Sequence, residues 1–231
     1  MELKNKVAIV TGVSKGIGKA TVEVLLDKGC IVAGWGRTSP GLNHSNFHFF
    51  KTDVRDFESV KTAHSQTTKA LGEDISILIN NAGLGYEGAF EELDIKHWHA
   101  MFETNVDGIF YCSRLVVPKM KQNDEGHIIN ISSIAGNTGI PGMSAYCATK
   151  HAVRGMSQSM YKELRNFGIK VSCIYPGSVK TNFFDSIDSV TTNDNMMRPE
   201  DIASTIVHCL ESHANYHHVD IEVRPLRPKG K

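Results

Sequence analysis

Tyr146 and Lys150 stand four residues apart in Y-C-A-T-K. On a helix that spacing puts both side chains on one face. A phenol keeps its proton to about pH 10. A cation held beside it favours the phenolate, and a phenol tuned that way can give and take a proton near neutrality. Alone, most Tyr/Lys pairs at this spacing are surface packing. Ser133 makes the pair informative, because it stands just past the apolar run His127–Ser132. It therefore falls at the carboxyl end of a predicted strand, where open α/β sheets bind ligands.

A second cluster opens the chain, T-G-V-S-K-G-I-G over 11–18. It follows a β-branched run and precedes a helical pattern. Gly12, Gly16 and Gly18 allow a tight turn, and the amides of Ser14, Lys15, Gly16 and Ile17 can approach a pyrophosphate at a helix amino end. Past the second apolar run comes W-G-R-T, with Gly36 where an acid would bind a ribose 2′-hydroxyl. Arg37 follows, beside Thr38, and Lys15 is a second cation for the same region. Two cations without a carboxylate favour a 2′-phosphate, hence NADP(H). Asp53 in T-D-V ends the third run and could accept from an adenine amino group, with Val54 next to it.

These residues need a frame, and the pattern supplies one. Apolar runs at 6–11, 30–35, 47–52, 75–80, 127–132, 170–175 and 219–223 alternate with helical patterns at 16–28, 56–71, 91–123 (two segments), 144–167 and 199–211. Near-continuous apolar strands are buried on both faces. The expected fold is α/β, a single-domain Rossmann-like doubly wound parallel sheet of about seven strands spanning 1–231. The stretch 36–46, with Pro40 and Gly41, is short for a parallel crossover. Its helix is expected to be missing or reduced to a turn.

Composition narrows the partners. The chain has 231 residues, with 25 basic and 25 acidic side chains and zero net charge. That balance argues against nucleic-acid binding and offers no polybasic membrane anchor. No apolar run approaches a membrane span. The five cysteines are widely spaced and odd in number, as expected of reduced thiols in the cytoplasm. His97 and His99 cannot share a metal on one helix face. His213, His217 and His218 have no acidic partner pattern, so no metal is expected.

The ordered set of T-G-V-S-K-G-I-G, T-D-V, N-N-A-G (80–83), Asn105 in E-T-N-V-D-G, I-S-S (131–133), Y-C-A-T-K and P-G-S-V-K-T (176–181) resembles the short-chain dehydrogenase/reductase family over nearly the whole chain. The resemblance implies an NADP-dependent carbonyl reductase or alcohol dehydrogenase. Tyr146 would be the general acid in reduction and the base in oxidation. Lys150 would bind the nicotinamide ribose and lower the Tyr146 pKa, and Ser133 would hold the substrate oxygen. Asn105 would kink its helix and hold a water that relays protons to Lys150. Asn81, Ala82 and Gly83 would line the cofactor cleft, and Pro176, Gly177, Val179 and Thr181 would cradle the nicotinamide. A homotetramer or homodimer is implied. Thr149 stands where the family often has Ser.

Residues 181–197 would form a substrate lid, apolar through Phe183, Phe184, Ile187, Met196 and Met197 and acidic through Asp185, Asp188 and Asp194. Leu84, Gly85, Tyr86 and residues 139–143 would complete the pocket. Within the family, 3-oxoacyl-thioester reductase, serine-type dehydrogenase and sepiapterin-like pterin reductase are the candidates. A non-catalytic dinucleotide sensor is the alternative outside it.

Overall fold

The computed structural model describes residues 1–187 and 189–227. Asp188 of the expected acidic lid and residues 228–231 lie outside the described residues. The strands are β1 (Val7–Thr11), β2 (Ile31–Gly36), β3 (Phe47–Lys51), β4 (Ile75–Asn80), β5 (Gly126–Ile131), β6 (Ile169–Pro176) and β7 (Asp220–Val223). The helices are α1 (Gly16–Asp27), α2 (Phe57–Leu71), α3 (Ile95–Phe102), α4 (Gly108–Asn123), α5 (Ser144–Leu164) and α6 (Pro199–Leu210). All seven strands form one sheet in the order β3-β2-β1-β4-β5-β6-β7, and every pairing is parallel. The chain reverses direction across the sheet between β1 and β4, which opens a crevice at their carboxyl ends.

Alternate residues of each strand feed two separate cores. Ala8, Val10, Val32, Ile77, Ile79 and Ile129 face α1 and α6, and meet Val22, Leu25, Ile202 and Ile206. Val7, Ile9, Ala33, Trp35, Leu78 and Ile128 face the other side and pack on Val60 of α2, on Cys112, Val116 and Met120 of α4, and on Leu164 of α5. Each fully buried Leu, Ile or Val contributes roughly 1.5–3 kcal/mol. A strand with both faces covered cannot alternate polar and apolar residues, which is why these runs read as continuous.

Residues 37–46 contain no helix, as their length requires. Leu42 and the Phe47 and Phe49 side chains pack against the α1 side of the core in its place. The stretch read as two helices over 91–123 is α3 and α4, joined by a π-helical turn at Glu103–Asp107 that carries the buried Asn105.

The end of the sheet remote from the crevice holds a group of imidazoles. His127 is buried, and its Nε2 lies 2.9 Å from Ser172 Oγ. That hydroxyl already donates to the His218 carbonyl at 2.6 Å, so His127 Nε2 must be the donor. Its Nδ1 is buried without a partner. Nearby His217 donates Nε2–H to the Val171 carbonyl at 2.9 Å. Burial, with Lys170 and the other imidazoles close by, pushes His127 well below 6.5 and His217 down to about 4. The folded protein therefore binds fewer protons than the unfolded chain below pH 6.5, and stability falls as the pH falls. We expect the melting temperature to drop between pH 6.5 and about 5, above the carboxylate range. Circular dichroism melts check this, and a flat profile over that window contradicts it.

Candidate active site

The carboxyl ends of β1, β2, β4, β5 and β6 open into one cleft of about 530 Å³. Its floor is a close backbone contact. Gly12 has φ +70°, and a Cβ there would lie 2.8 Å from Ala82 Cα. A Cβ on Gly18 would lie 2.2 Å from the Gly12 carbonyl oxygen. Any side chain at either position would push α1 off the turn. Thr11 Oγ1 accepts from the Asn81 and Ala82 amides, both at 3.0 Å. The Asn81 amide group donates to the Thr11 and Gly12 carbonyls at 3.0 and 3.2 Å. N-N-A-G is thereby clamped to the glycine turn, with Ser14, Lys15, Gly16 and Ile17 along the cleft wall and the amino end of α1 aimed into it.

At one end of the cleft lie Arg37, Thr38, Asp53, Val54 and Arg55. Arg55 grips Asp53 as a fork, with Nη2 at 2.6 Å and Nε at 3.0 Å, and this hydrogen bonding holds the carboxyl low. The sequence reading missed Arg55, although it stands two residues from Asp53 in T-D-V-R. Lys15, paired above with Arg37, instead sends its ammonium to 4.0 Å from Asp185 on the lid. Val54 is buried against Gly108, below the pocket wall.

The middle of the cleft brings Ser133, Tyr146 and Lys150 together. Ser133 caps a short 3-10 turn, accepting from the Ala135 amide at 3.2 Å, and lines the same cleft as Tyr146. Lys150 lies one turn further along α5. Its Nζ donates to the Ile131 carbonyl at 2.9 Å and sits 5.6 Å from the Tyr146 ring centre. Burial pushes the phenol up, and the opposing pull comes from the Ser133 side chain. Burial also brings Lys150 down to about 8.

Asn105 is likewise more occupied than the resemblance implied. Its Nδ2 donates to the Leu84 carbonyl at 2.9 Å and to Thr149 Oγ1 at 3.0 Å, and its Oδ1 accepts from the Leu84 amide at 3.0 Å. Thr149 in turn donates to the Tyr146 carbonyl at 2.8 Å. The hydroxyl that departs only mildly from the family pattern thus ties the π turn to α5. A Cβ on Gly83 would lie 3.4 Å from Asn105 Oδ1 and 3.7 Å from Lys150 Nζ, so all three border one space.

Pro176, Gly177, Val179 and Thr181 line the wall opposite Asn81 and Ala82. The Gly177 amide bonds the Val223 carbonyl at 2.8 Å, and Val179 bridges Met197. Beyond them, Leu84, Gly85, Ile140, Met143, Phe183 and Phe184 reach the cleft. Tyr86 instead stacks on His97 at 3.8 Å, Ile187 is buried beneath the lid, and Met197 packs toward the α1 core. The lid is also less acidic in effect than its composition suggests. Asp185 faces Lys15, and Asp194 pairs with Lys180 at 2.6 Å.

The family model described as short chain dehydrogenase matches residues 6–191. The chain belongs to the short-chain dehydrogenase/reductase family. An uncharacterised oxidoreductase of Staphylococcus saprophyticus is 34% identical over 98% of this chain and 100% of its own length. The 3-oxoacyl-[acyl-carrier-protein] reductase of Haemophilus influenzae is 34% identical, covering 78% of this chain and 76% of that one. Among solved structures, a closed serine dehydrogenase complexed with NADP+ matches at 27% identity and TM-score 0.86, over 94% of each chain. A 3-ketoacyl-(acyl-carrier-protein) reductase from Brucella melitensis complexed with NADH shares the fold at TM-score 0.90 and 23% identity, over 98% of this chain and 99% of that one. This member of the family is thus an oxidoreductase built for a nicotinamide dinucleotide. The glycine cradle, the α1 amino end and the cleft volume all fit such a group.

Replacing Asn105 by Ala leaves the Leu84 amide and carbonyl and the Thr149 hydroxyl without that partner. Leaving a buried polar group unsatisfied costs about 1–3 kcal/mol. Asn105→Ala is expected to lower stability by at least that amount, read from urea unfolding at constant m-value.

Proposed function

We propose that this protein moves a hydride between NADP(H) and a carbonyl or secondary alcohol carbon, with Tyr146 as general acid in reduction and general base in oxidation. The observation that carries the reading is the convergence of Ser133 and Tyr146 on one cleft with the buried Lys150 ammonium 5.6 Å from the ring. NADP(H), when bound, supplies or accepts the hydride. Ser133 orients the substrate oxygen beside the phenol. Tyr146 delivers its proton to that oxygen as negative charge builds there. A phenol left high by burial needs a compensating charge before it can ionise, and Lys150 is the nearest cation to supply it. Lys150 holds the ribose hydroxyls of the cofactor, and Asn105 orders the loop that borders it.

Preference for the 2′-phosphate is supported by Arg37, with Lys15 and Arg55 near it already facing Asp185 and Asp53. Lys15, Arg37 and Arg55 line the cleft, Gly36 stands at the usual acidic position, and Asp53 is neutralised by Arg55. Gly12, Ser14, Gly16, Ile17 and Gly18 would hold the pyrophosphate, Thr38 and Val54 the adenosine, Asn81, Ala82 and Gly83 the adjoining ribose, and Pro176, Gly177, Val179 and Thr181 the nicotinamide. The Haemophilus relative favours 3-oxoacyl thioester reduction as the second reading. Five free, buried cysteines suit a reducing, cytoplasmic setting. Among the described residues, no helix is long and apolar enough to cross a membrane. A homodimer or homotetramer is proposed through α4 and α5, where Phe110 is 48% exposed. A monomer in sedimentation would contradict that.

Two outcomes test the chemistry. Tyr146→Phe should lower kcat by about 10²–10⁴-fold while NADPH still binds, as loss of a general acid does. Undiminished turnover in this variant contradicts the mechanism. Arg37→Ala should cut the NADPH-over-NADH preference by about 10–100-fold, as loss of a charged hydrogen bond does. An unchanged ratio of kcat/KM values would remove Arg37 from the cofactor site.

A further inference from the structure

The charges of the cleft are unevenly placed. Arg37, Asp53 and Arg55 belong to the adenosine end, Lys15 faces Asp185 at the rim of the lid, and Lys150 lies beside Tyr146. On the far side of Tyr146 the chain builds an apolar cluster from Leu84, Ile140, Met143, Phe183, Phe184 and Val190. Asn182 and Ser189, both uncharged, also reach the cleft. None of the described lining residues on that side is ionisable. The nearest acids are spent at the rim, with Glu87 accepting from the Ser189 amide at 3.0 Å and from its hydroxyl. Asp185 accepts from Asn182 Nδ2 at 3.0 Å and faces Lys15.

Phe183 holds the central place in this cluster. Its ring lies 5.2 Å from the Tyr146 ring at 49°, and 5.5 Å from Phe184 nearly edge to face. Thr181 fixes its backbone by accepting from the Phe183 amide at 3.2 Å. Gly85 makes the approach possible. A Cβ there would lie 2.6 Å from Phe183 Cζ and 3.2 Å from Tyr146 Cδ2. The absence of one side chain on the β4 loop thus lets a lid aromatic reach the reacting phenol.

A carboxylate or phosphate carried into this end would lose its water, and the Lys15 ammonium at the rim is already turned toward Asp185. An aryl or branched alkyl group would bury apolar surface against the Phe183 and Phe184 faces and meet the Met143 thioether. We propose that the substrate is an uncharged ketone or aldehyde with an aromatic or branched aliphatic flank, and that Phe183 is its specificity-determining residue. The proposal rests on the hydride-transfer reading above. It separates the family candidates, since a free amino or hydroxy acid falls outside it.

The test uses matched pairs on the full-length protein with NADPH. Ethyl benzoylformate is compared with benzoylformate, and ethyl acetoacetate with acetoacetate. Each ester should exceed its acid at least 100-fold in kcat/KM, and the phenyl ester should exceed the methyl one. Phe183→Ala should lower the phenyl-over-methyl ratio about tenfold, mainly through KM. Phe183→Arg should raise use of the acids relative to the esters at least tenfold. Acids turned over as well as esters, or a phenyl-over-methyl ratio untouched by Phe183→Ala, overturn the proposal. In parallel, calorimetric titration of the Tyr146→Phe variant saturated with NADPH reads binding of the same pairs. Ester-selective binding with no turnover in the unaltered protein upholds the pocket assignment and refutes the hydride-transfer reading. Equal binding of ester and acid overturns the pocket assignment itself.

Discussion

A lysine ammonium buried at the carboxyl end of β5 is the constraint on which the rest of the site depends. Among the described residues, the Lys150 ammonium donates one hydrogen bond, to the Ile131 carbonyl, and has little exposure to water. A charge in that position is costly, and burial draws its pKa down to about 8. It can stay only if α5 is held tightly against the strand. Gly136 permits that approach, because a Cβ there would meet Ser132 Oγ at 2.6 Å and the Lys150 carbonyl oxygen at 2.8 Å. Ser132 Oγ donates to the same carbonyl. Ser132, the neighbour of the expected active-site serine, thus has a structural role of its own.

The same docking positions everything else that could react. With α5 fixed, Tyr146 falls beside Ser133, and Thr149 turns its hydroxyl to the Asn105 amide. The π turn is what presents Asn105 there. One extra residue in the helical ladder swings a buried amide onto the Leu84 backbone, where a regular α-helix would aim it elsewhere. Leu84 and Gly85 then lead the chain from the cofactor side of the cleft to the apolar side. A single polar chain from the Tyr146 carbonyl through Thr149 and Asn105 to Leu84 therefore borders both halves of the cleft.

Much of this was readable in order along the chain. Seven apolar runs become seven strands because burial on both faces demands continuous apolar residues. The short 36–46 stretch loses its helix because eleven residues fall short of the dozen or more that a helical parallel crossover needs. The lines of cofactor residues were legible too, since glycines at fixed offsets have few other uses. Arg55 escaped notice because a cation two residues from an acid in a loop has no periodic signature. The depth at which Tyr146 is buried escapes the sequence for a related reason. Spacing shows that a cation shares a face with the phenol, but it does not show how much water both have lost.

The residue types and their order determined the family, the sheet, the cleft's position and the group of Ser133, Tyr146 and Lys150, because these depend on local periodicity and on motifs set at strand ends. Only the tertiary structure decided how charge is distributed inside the cleft. Lys15 facing Asp185, Arg55 neutralising Asp53, and Phe183 laid over Tyr146 by way of Gly85 are all contacts between segments whose separation along the chain carries no signal. Electrostatics and desolvation depend on distance and exposure in three dimensions, and these exist only once the chain has folded.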